Sequence, residues 1–160
     1  MLGKDNLKEY FEGKKLYGDD FSTNEIVEWF KDEEEAYYEL YGVNCQYGGY
    51  GYHQLNRKYG FSYLPANKTF DKVLSLGGAF GEELLPLKEK ISSIIILESS
   101  DNFKKANKNS SITYVKSTPS GELPFPDKFF DLVTCFGTLH HIPNVSRCIK
   151  EIFRCTVGGV

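Results

Sequence analysis

The feature that most constrains the fold of this chain is an apolar strand followed at once by a glycine-rich turn, within Asp71–Gly81. Residues 72–76 (KVLSL) have the composition of a buried strand, and glycines follow at positions 77, 78 and 81. Glycine lets the backbone adopt a positive φ and approach a ligand closely. The free N–H groups of the helix that follows favour an anionic group. The segment predicts the opening of a nucleotide-binding α/β unit, although such glycines also serve simply to pack a helix against a sheet.

The composition indicates a globular protein and argues against a nucleic-acid or membrane surface. Hydrophobic residues make up 41% and charged residues 26% of the 160 positions, and the net charge is −3. The cysteines, Cys45, Cys135, Cys148 and Cys155, form no C-x-x-C pair and no zinc-type cluster with histidine. We therefore expect no metal site and reduced thiols in the cytoplasm. The polar amino terminus and the short apolar runs predict neither a secretion signal nor a membrane span.

Residues 1–66 are predicted to form a helical cap that precedes the central unit. A capping box begins its main helix, because Ser22 lies three positions before Glu25. Apolar residues then recur at helical spacing, and Gly42 is the expected end of the helix. The acidic run at 32–35 is interpreted as a solvated helix face.

The segment 46–59 (QYGGYGYHQLNRKY) surrounds His53 with tyrosines and glycines. We expect a loop at 48–51 and a short helix over Tyr52–Tyr59, ended by Gly60. Two interpretations stay open: aromatic packing of the cap onto the sheet, or a lid whose aromatic faces contact a cationic ligand.

Strand and helix patterns alternate in the rest of the chain. The expected strands are 72–76, 91–98, 112–116 and 130–136, and the expected helices begin near Gly81, Ser100 and Asn144, with Pro86 distorting the first. This alternation predicts an α/β fold with a parallel sheet and right-handed crossovers. Ligands in such sheets bind beyond the carboxyl ends of the strands. The residues expected to converge there are Gly77–Gly81, Glu98, Ser117 and Phe136–Gly137.

Glu98 stands at the end of the second strand, about 20 positions after the glycine turn. A carboxylate at this position is placed to accept hydrogen bonds from two ribose hydroxyls, and its charge makes these bonds short and strong. The alternative is an ordinary surface acid at a strand end. The glycine turn upstream favours the ribose role.

The glycine spacing argues against two common nucleotide ligands. A dinucleotide fingerprint requires G-x-G-x-x-G, but from Gly77 this chain has Gly, Gly, Ala, Phe, Gly, and Glu82 stands where the third glycine should be. The lysine of the phosphate loop is also missing. The pattern therefore disfavours an NAD-dependent oxidoreductase and an ATP-binding protein.

Two motifs together resemble class I S-adenosylmethionine-dependent methyltransferases. VLSLGGAFG, at 73–81, is similar to the family's first motif, which has a V-L-D-x-G-x-G-x-G core, and Glu98 falls at the family's ribose-binding acid. Residues 123–159 resemble the family's run of L-P-F-x-D-x-x-F-D-x-V, a hydrophobic strand, L-H-H, a helix containing E-I-x-R, and G-G. The resemblance covers residues 70–160.

The resemblance implies a Rossmann-like, mostly parallel sheet flanked by helices, with S-adenosylmethionine as the cofactor. The domain boundary follows from it: a cap at 1–66 and the first half of the cofactor-binding domain at 67–160. By the same resemblance the cofactor-binding residues are Gly77, Gly78, Ala79, Gly81, Glu98, Ser117, Phe136 and Gly137. The candidates for a catalytic base are His53, Tyr50, His140 and His141, although packing or helix entry also accounts for the last two.

The chain departs from the family pattern at two polar positions. Ser75 stands where many members have an aspartate that helps to position the ligand. Ser117 stands where an acid commonly reaches the adenine amino group, and a serine can form a hydrogen bond there but carries no charge.

The sheet of the family has seven strands, whereas four are expected here before the chain stops at Val160. We expect that the carboxyl-terminal strands are missing, which leaves the fourth strand with an apolar edge. Such an edge invites pairing with another chain, so a homo-oligomer that completes the sheet is an expected partner.

The resemblance implies methyl transfer to an O, N or C nucleophile of a small molecule, with no nucleic acid or membrane involved. The alternative is an inactive or truncated module that binds S-adenosylmethionine or S-adenosylhomocysteine without transferring the methyl group.

Overall fold

The computed structural model describes residues 7–16, 18–45 and 52–158 of the chain. The predicted glycine loop at 48–51 and the candidate base Tyr50 lie outside these residues.

The described helices alternate with strands after a helical amino-terminal part. The α-helices are α1 (Leu7–Phe11), α2 (Thr23–Cys45), α3 (Tyr52–Leu55), α4 (Asp101–Ala106) and α5 (Val145–Cys155). A π-helical turn follows α3 over Asn56–Gly60, and 3-10 helices cover Phe61–Tyr63, Glu82–Lys90 and Leu139–His141.

The described strands form one parallel sheet, which confirms the predicted α/β, Rossmann-like fold class. They are β1 (Phe70–Leu76), β2 (Ile91–Glu98), β3 (Ile112–Lys116) and β4 (Leu132–Thr134), in the spatial order β3-β2-β1-β4. The chain places β2 and β3 on one side of β1 and then crosses to place β4 on the other. The strand order therefore reverses at β1, where the glycine turn begins.

The core lies on both faces of β1. Leu74 and Leu76 belong to one buried cluster with Phe130 of the loop before β4 and Cys148 of α5. A second buried cluster contains Phe70 and Val73 of β1 together with Leu84 of the 3-10 helix that follows the turn. Burial on both faces explains why the consecutive positions Val73 and Leu74 are both apolar.

The Arg154 side chain connects α5 to the loop at residues 123–127 (LPFPD). Its guanidinium donates hydrogen bonds to the carbonyl oxygens of Leu123 at 3.0 Å and Phe125 at 2.9 Å, and it pairs with Asp127 at 2.8 Å. The Glu151 carboxylate on the same helix accepts the N–H of Leu123 at 3.0 Å. The two segments that carry the motifs L-P-F-x-D and E-I-x-R are thus joined by hydrogen bonds in this chain.

Several predicted boundaries agree with the structure. The second and third strands have the predicted limits, and the helix after Ser100 begins with the Ser100 side chain accepting the N–H of Asn102 at 3.2 Å. The capping box is confirmed, because the N–H of Ser22 donates to Glu25 Oε2 at 2.8 Å and the N–H of Glu25 donates back to Ser22 Oγ at 3.4 Å.

Other predicted boundaries were wrong at helix ends. Helix α2 continues through Gly42 to Cys45, since one glycine costs a long helix only about 1 kcal/mol. The predicted helix over Tyr52–Tyr59 is α-helical only to Leu55 and passes through Gly60 without ending.

The elements next to the turn and β4 also differ from the prediction. Residues 82–90 form a 3-10 helix rather than an α-helix, with Pro86 inside it removing one backbone donor. The fourth strand is three residues long instead of spanning 130–136, and Phe130 forms a separate parallel bridge with Thr156. Asn144 precedes α5 in a left-handed conformation, and its carbonyl rather than its side chain accepts hydrogen bonds from the first turn of the helix.

Within the described ranges, no helix is long and apolar enough to cross a membrane, and no group of three or more His, Cys, Asp or Glu residues is arranged to hold a metal ion. The predicted division into a cap at 1–66 and a domain at 67–160 stays a prediction.

Candidate functional site

The carboxyl ends of β1, β2 and β3 lie side by side at one edge of the sheet. The N–H of Gly77, just after β1, donates to the carbonyl of Leu97 in β2 at 2.9 Å. The N–H of Ser117, just after β3, donates to the carbonyl of Glu98 at 2.7 Å. These bonds extend the hydrogen-bonding pattern of the sheet one residue beyond the strands. The predicted site residues Gly77, Glu98 and Ser117 are therefore neighbours.

The glycine turn has three residues in the left-handed region: Gly77 at φ +63°, Ala79 at φ +49° and Gly81 at φ +74°. Ala79 carries a Cβ and is costly there, so the surrounding structure has to hold it. Its N–H donates to Glu98 Oε1 at 2.6 Å, and its carbonyl accepts the hydroxyl of Tyr114 at 2.8 Å. Two neighbouring strands therefore fix the tip of the turn from both sides.

The turn is packed closely on the sheet at Gly77 and Gly78. A Cβ added at Gly77 would lie 2.5 Å from Thr138 Cγ2 and 2.6 Å from Thr138 Oγ1. A Cβ added at Gly78 would overlap the Ser75 hydroxyl and the Glu83 carboxylate. At both positions only glycine fits, because the space for a side chain is already filled.

Glu98 is an almost fully buried acid, with 4% of its surface exposed. Burial raises the pKa of the Glu98 carboxyl to about 7, although the hydrogen bonds from the N–H groups of Ala79 and Ser99 act in the opposite direction. The charge of Glu83 raises the pKa further. A ligand that donates hydrogen bonds to this carboxyl favours its ionised form.

A cavity of about 100 Å³ lies between these strand ends, α2 and the segment before α5. The predicted site residues among its lining are Gly77, Glu98, Ser117 and His141. Its enclosed volume is below the range of about 300–1,000 Å³ that is usual for ligand pockets, so a nucleoside-sized ligand has to extend through its opening.

The other predicted site residues lie around the cavity rather than in its lining. Gly78, Ala79 and Gly81 form the turn beside it. The ring of Phe136 packs edge-on against Phe61 at 5.3 Å between ring centroids, and Gly137 follows it at φ +66°.

The candidate bases are divided between two places. His141 lines the cavity, and the ring of His140 lies against it with 3.9 Å between centroids. Burial, followed by the neighbouring His141, lowers the pKa of His140. His53 lies in a separate groove, with Nε2 3.6 Å from the Glu82 carboxylate and with Arg57 and Lys58 beside it.

The acidic run of α2 is solvated only in part, because Asp32 and Glu35 are exposed as predicted whereas Glu33 and Glu34 are half-buried. Glu33 lines the cavity, and its Oε2 lies 2.7 Å from Nδ1 of His141. Glu34 accepts a hydrogen bond from Lys116 Nζ at 2.8 Å, and this bond is the main cause of the raised pKa of Lys116. Two neighbouring acids thus link α2 to two different elements, one to His141 before α5 and the other to Lys116 at the end of β3.

The sequence contains part of the information that identifies Glu33 as a residue lining the cavity. It lies three positions after Phe30, so the two residues share one helix face, and Phe30 also lines the cavity. The same spacing does not distinguish Glu33 from Glu34, which lies four positions after Phe30 and does not line the cavity.

Residues 68–159 match the methyltransferase domain family, which is more than half of the chain. A ubiquinone/menaquinone biosynthesis C-methyltransferase, UbiE of Xanthomonas oryzae, is 29% identical over 121 residues, covering 68% of this chain and 47% of the relative. A Bacillus subtilis relative named as the methyltransferase YcgJ is 26% identical over 90 residues, covering 52% of this chain and 35% of the relative.

Among solved structures, an S-adenosylmethionine-dependent methyltransferase from Mesorhizobium loti aligns with a TM-score of 0.54 and 23% identity, covering 69% of this chain and 51% of that one. This likeness concerns the fold. The chain spans about half or less of the length of the curated relatives that it matches.

Proposed function

The chain belongs to the methyltransferase domain family, and from that premise we propose that it binds S-adenosylmethionine and transfers its methyl group to a small-molecule O, N or C nucleophile. The cofactor supplies a methyl group that its sulfonium charge already activates. The protein's contribution is to bind, to align the acceptor and to manage a proton.

The observation that carries this proposal is the position of Glu98. It is a buried carboxylate at the end of β2, next to a glycine turn that leaves no room for side chains at positions 77 and 78. A ribose with two vicinal hydroxyls suits such an acceptor, because each hydroxyl can donate a charge-assisted hydrogen bond. In this proposal Gly77, Gly78, Ala79 and Gly81 approach the ligand through their backbone, and Ser117 contributes a hydroxyl.

We propose that His141 is the general base and that Glu33 positions it. The carboxylate orients the imidazole through Nδ1, and in this proposal the ring takes up the proton of an acceptor bound at the cavity mouth. The proposed ligand contacts of Phe136 and Gly137 and the basic roles of His53, His140 and Tyr50 stay predictions.

A small-molecule acceptor is supported by the family and by the net charge of −3, which does not suit a polyanion. The C-methyltransferase relatives are consistent with a carbon nucleophile, and we keep the wider class of O, N or C because their identity with this chain is 29% or less. Cytoplasmic location and a homo-oligomer that pairs through the edge of the sheet belong to the same proposal.

The second candidate is a module that binds S-adenosylmethionine or S-adenosylhomocysteine without catalysis. The uncharged Ser117 favours it, because the resembled family commonly has an acid at this position. The two candidates share the nucleoside site and differ in whether the product S-adenosylhomocysteine is released over time in the presence of acceptors.

The test is a calorimetric titration of the chain with S-adenosylmethionine, S-adenosylhomocysteine and NADH. We expect saturable binding of the first two, because both carry the ribose, and no binding of NADH. Light scattering on the same sample measures its mass. A folded chain that binds neither S-adenosyl compound would contradict the proposal.

Binding should also depend on pH. Ribose hydroxyls donate to the ionised form of Glu98, so binding competes with the proton that a pKa of about 7 keeps on this carboxyl. We expect affinity for S-adenosylhomocysteine to increase up to about tenfold per pH unit below pH 7 and to level off above it. Titrations across that range measure it, and Glu98→Gln should remove the dependence. An affinity that stays constant from about pH 5.5 to 8 would contradict the ionised-acceptor role.

A further inference from the structure

A second buried carboxylate lies beneath the glycine turn and does not line the cavity. Glu83, in the 3-10 helix after the turn, is 7% exposed, and Ser75 of β1 is 1% exposed. The Ser75 hydroxyl donates a hydrogen bond to Glu83 Oε1. Burial raises the pKa of Glu83, and the bond from Ser75 acts against this. A buried acid is costly unless it is paired, so its presence here requires an explanation.

The pair formed by Ser75 and Glu83 touches the turn itself. A Cβ at Gly78 would overlap both the Ser75 hydroxyl and the Glu83 carboxylate, so the Gly78 backbone rests directly on these two groups. The carbonyl of Gly78 in turn accepts the N–H of Gly81 at 2.7 Å, which closes the turn. Any displacement of Glu83 therefore reaches the backbone at the site.

The next residue of the turn is held by a different acid. Glu98 accepts the N–H of Ala79 at 2.6 Å. Gly78 and Ala79 are thus fixed between two buried carboxylates, one from β2 and one from the helix that the turn leads into. The two acids are placed differently, since Glu98 lines the cavity whereas Glu83 lies against Gly78 and lines the separate groove beside His53.

We propose that Glu83 is a positioning residue, which together with Ser75 holds Gly78 and Ala79 in the conformation that binds the nucleoside. The acid reaches the turn from the following helix, and Ser75 on the strand supplies the donor that fixes it. This inference rests on the proposed function, since it assigns a role at the same site. It also accounts for the serine at position 75, because an acid on the strand would place a second negative charge beside the buried Glu83 carboxylate.

The test compares Glu83→Gln, Ser75→Asp/Glu83→Gln and the control Glu89→Gln, an exposed acid of the same helix. The measurements are affinity for S-adenosylhomocysteine and, without ligand, hydrogen exchange at the amides of Ala79 and Gly81. We expect Glu83→Gln to lower affinity about tenfold and to speed exchange at both amides by a similar factor, because a neutral amide is the weaker acceptor. The double variant should recover most of both losses, since it returns an acid to the same contact from the strand. Glu89→Gln should match the parent chain.

Unchanged affinity and exchange in folded Glu83→Gln would overturn the positioning role, as would a double variant that is folded but no better than the single one. If Glu83→Gln does not fold, Ser75→Ala keeps the acid and removes only its donor, and faster exchange at Ala79 is then the expected result. The exchange measurement needs no ligand, so it tests Glu83 even if the parent chain binds no S-adenosyl compound, a result that would count against the proposed function alone.

Discussion

Replacing Glu98 by alanine should weaken binding of S-adenosylhomocysteine by about 100-fold to 1,000-fold. Two hydrogen bonds to a charged acceptor contribute about 1.5–3 kcal/mol each, and a loss of about 3–4 kcal/mol corresponds to this range. The substitution also removes the acceptor of the Ala79 N–H, so the turn loses its link to β2. Calorimetric titration measures the loss, with circular dichroism to verify that the variant is folded.

Matched variants separate the charge of Glu98 from its shape. Glu98→Gln keeps the volume and one carbonyl acceptor for Ala79, so we expect a smaller loss than for alanine. Glu89→Gln removes an equal charge from an exposed position and should leave affinity within about twofold of the parent chain. Parent-like affinity in folded Glu98→Ala would show that the ribose acceptor lies elsewhere.

Much of the fold was predictable because the two central strands, β1 and β2, end in runs of buried apolar residues. Runs of apolar, β-branched residues, as in residues 91–98, are typical of buried strands in a parallel sheet. Both limits of β2 were predicted correctly. Helix ends were less predictable. Gly42 is a strong stop signal in isolation, but α2 passes it, so the local preference of one residue did not decide the end of the helix.

The site was predictable wherever topology alone positions a residue. The carboxyl ends of parallel strands have to meet at one edge, so Gly77, Glu98 and Ser117 could be brought together from their places in the sequence. Their roles follow from resemblance and stay proposals until binding is measured.

The acids Glu33 and Glu83 could not be found in this way. Both resemble ordinary helix-surface acids in the sequence, and their importance comes from partners more than five residues away, His141 and Ser75. Glu83 illustrates the physical reason. Whether an acid is buried depends on what packs over it, and the spacing of residues along one chain segment does not contain this information.

The second large effect is expected at Phe130, which holds together the loop, α5 and the sheet. Its side chain is fully buried, and its ring lies edge-on to Phe125 at 4.8 Å and to Phe129 at 5.0 Å between centroids. Phe130→Ala should lower the free energy of unfolding by about 3–5 kcal/mol, since it removes the ring and leaves a cavity. The whole free energy of unfolding of a small domain is about 5–15 kcal/mol, so this loss is a large share of it.

Urea unfolding followed by circular dichroism measures the effect of Phe130→Ala. With a slope of about 2 kcal/mol per molar, the midpoint should fall by about 2 M. Phe11→Ala removes the same ring from a side chain that is 86% exposed, so its free energy of unfolding should stay within about 0.5 kcal/mol of the parent chain. If the alanine variant is unfolded in water, Phe130→Leu provides the measurable case, with an expected loss of about 1–2 kcal/mol because leucine refills part of the space. A Phe130→Ala midpoint equal to that of Phe11→Ala would mean that the loop before β4 is not part of the folded core.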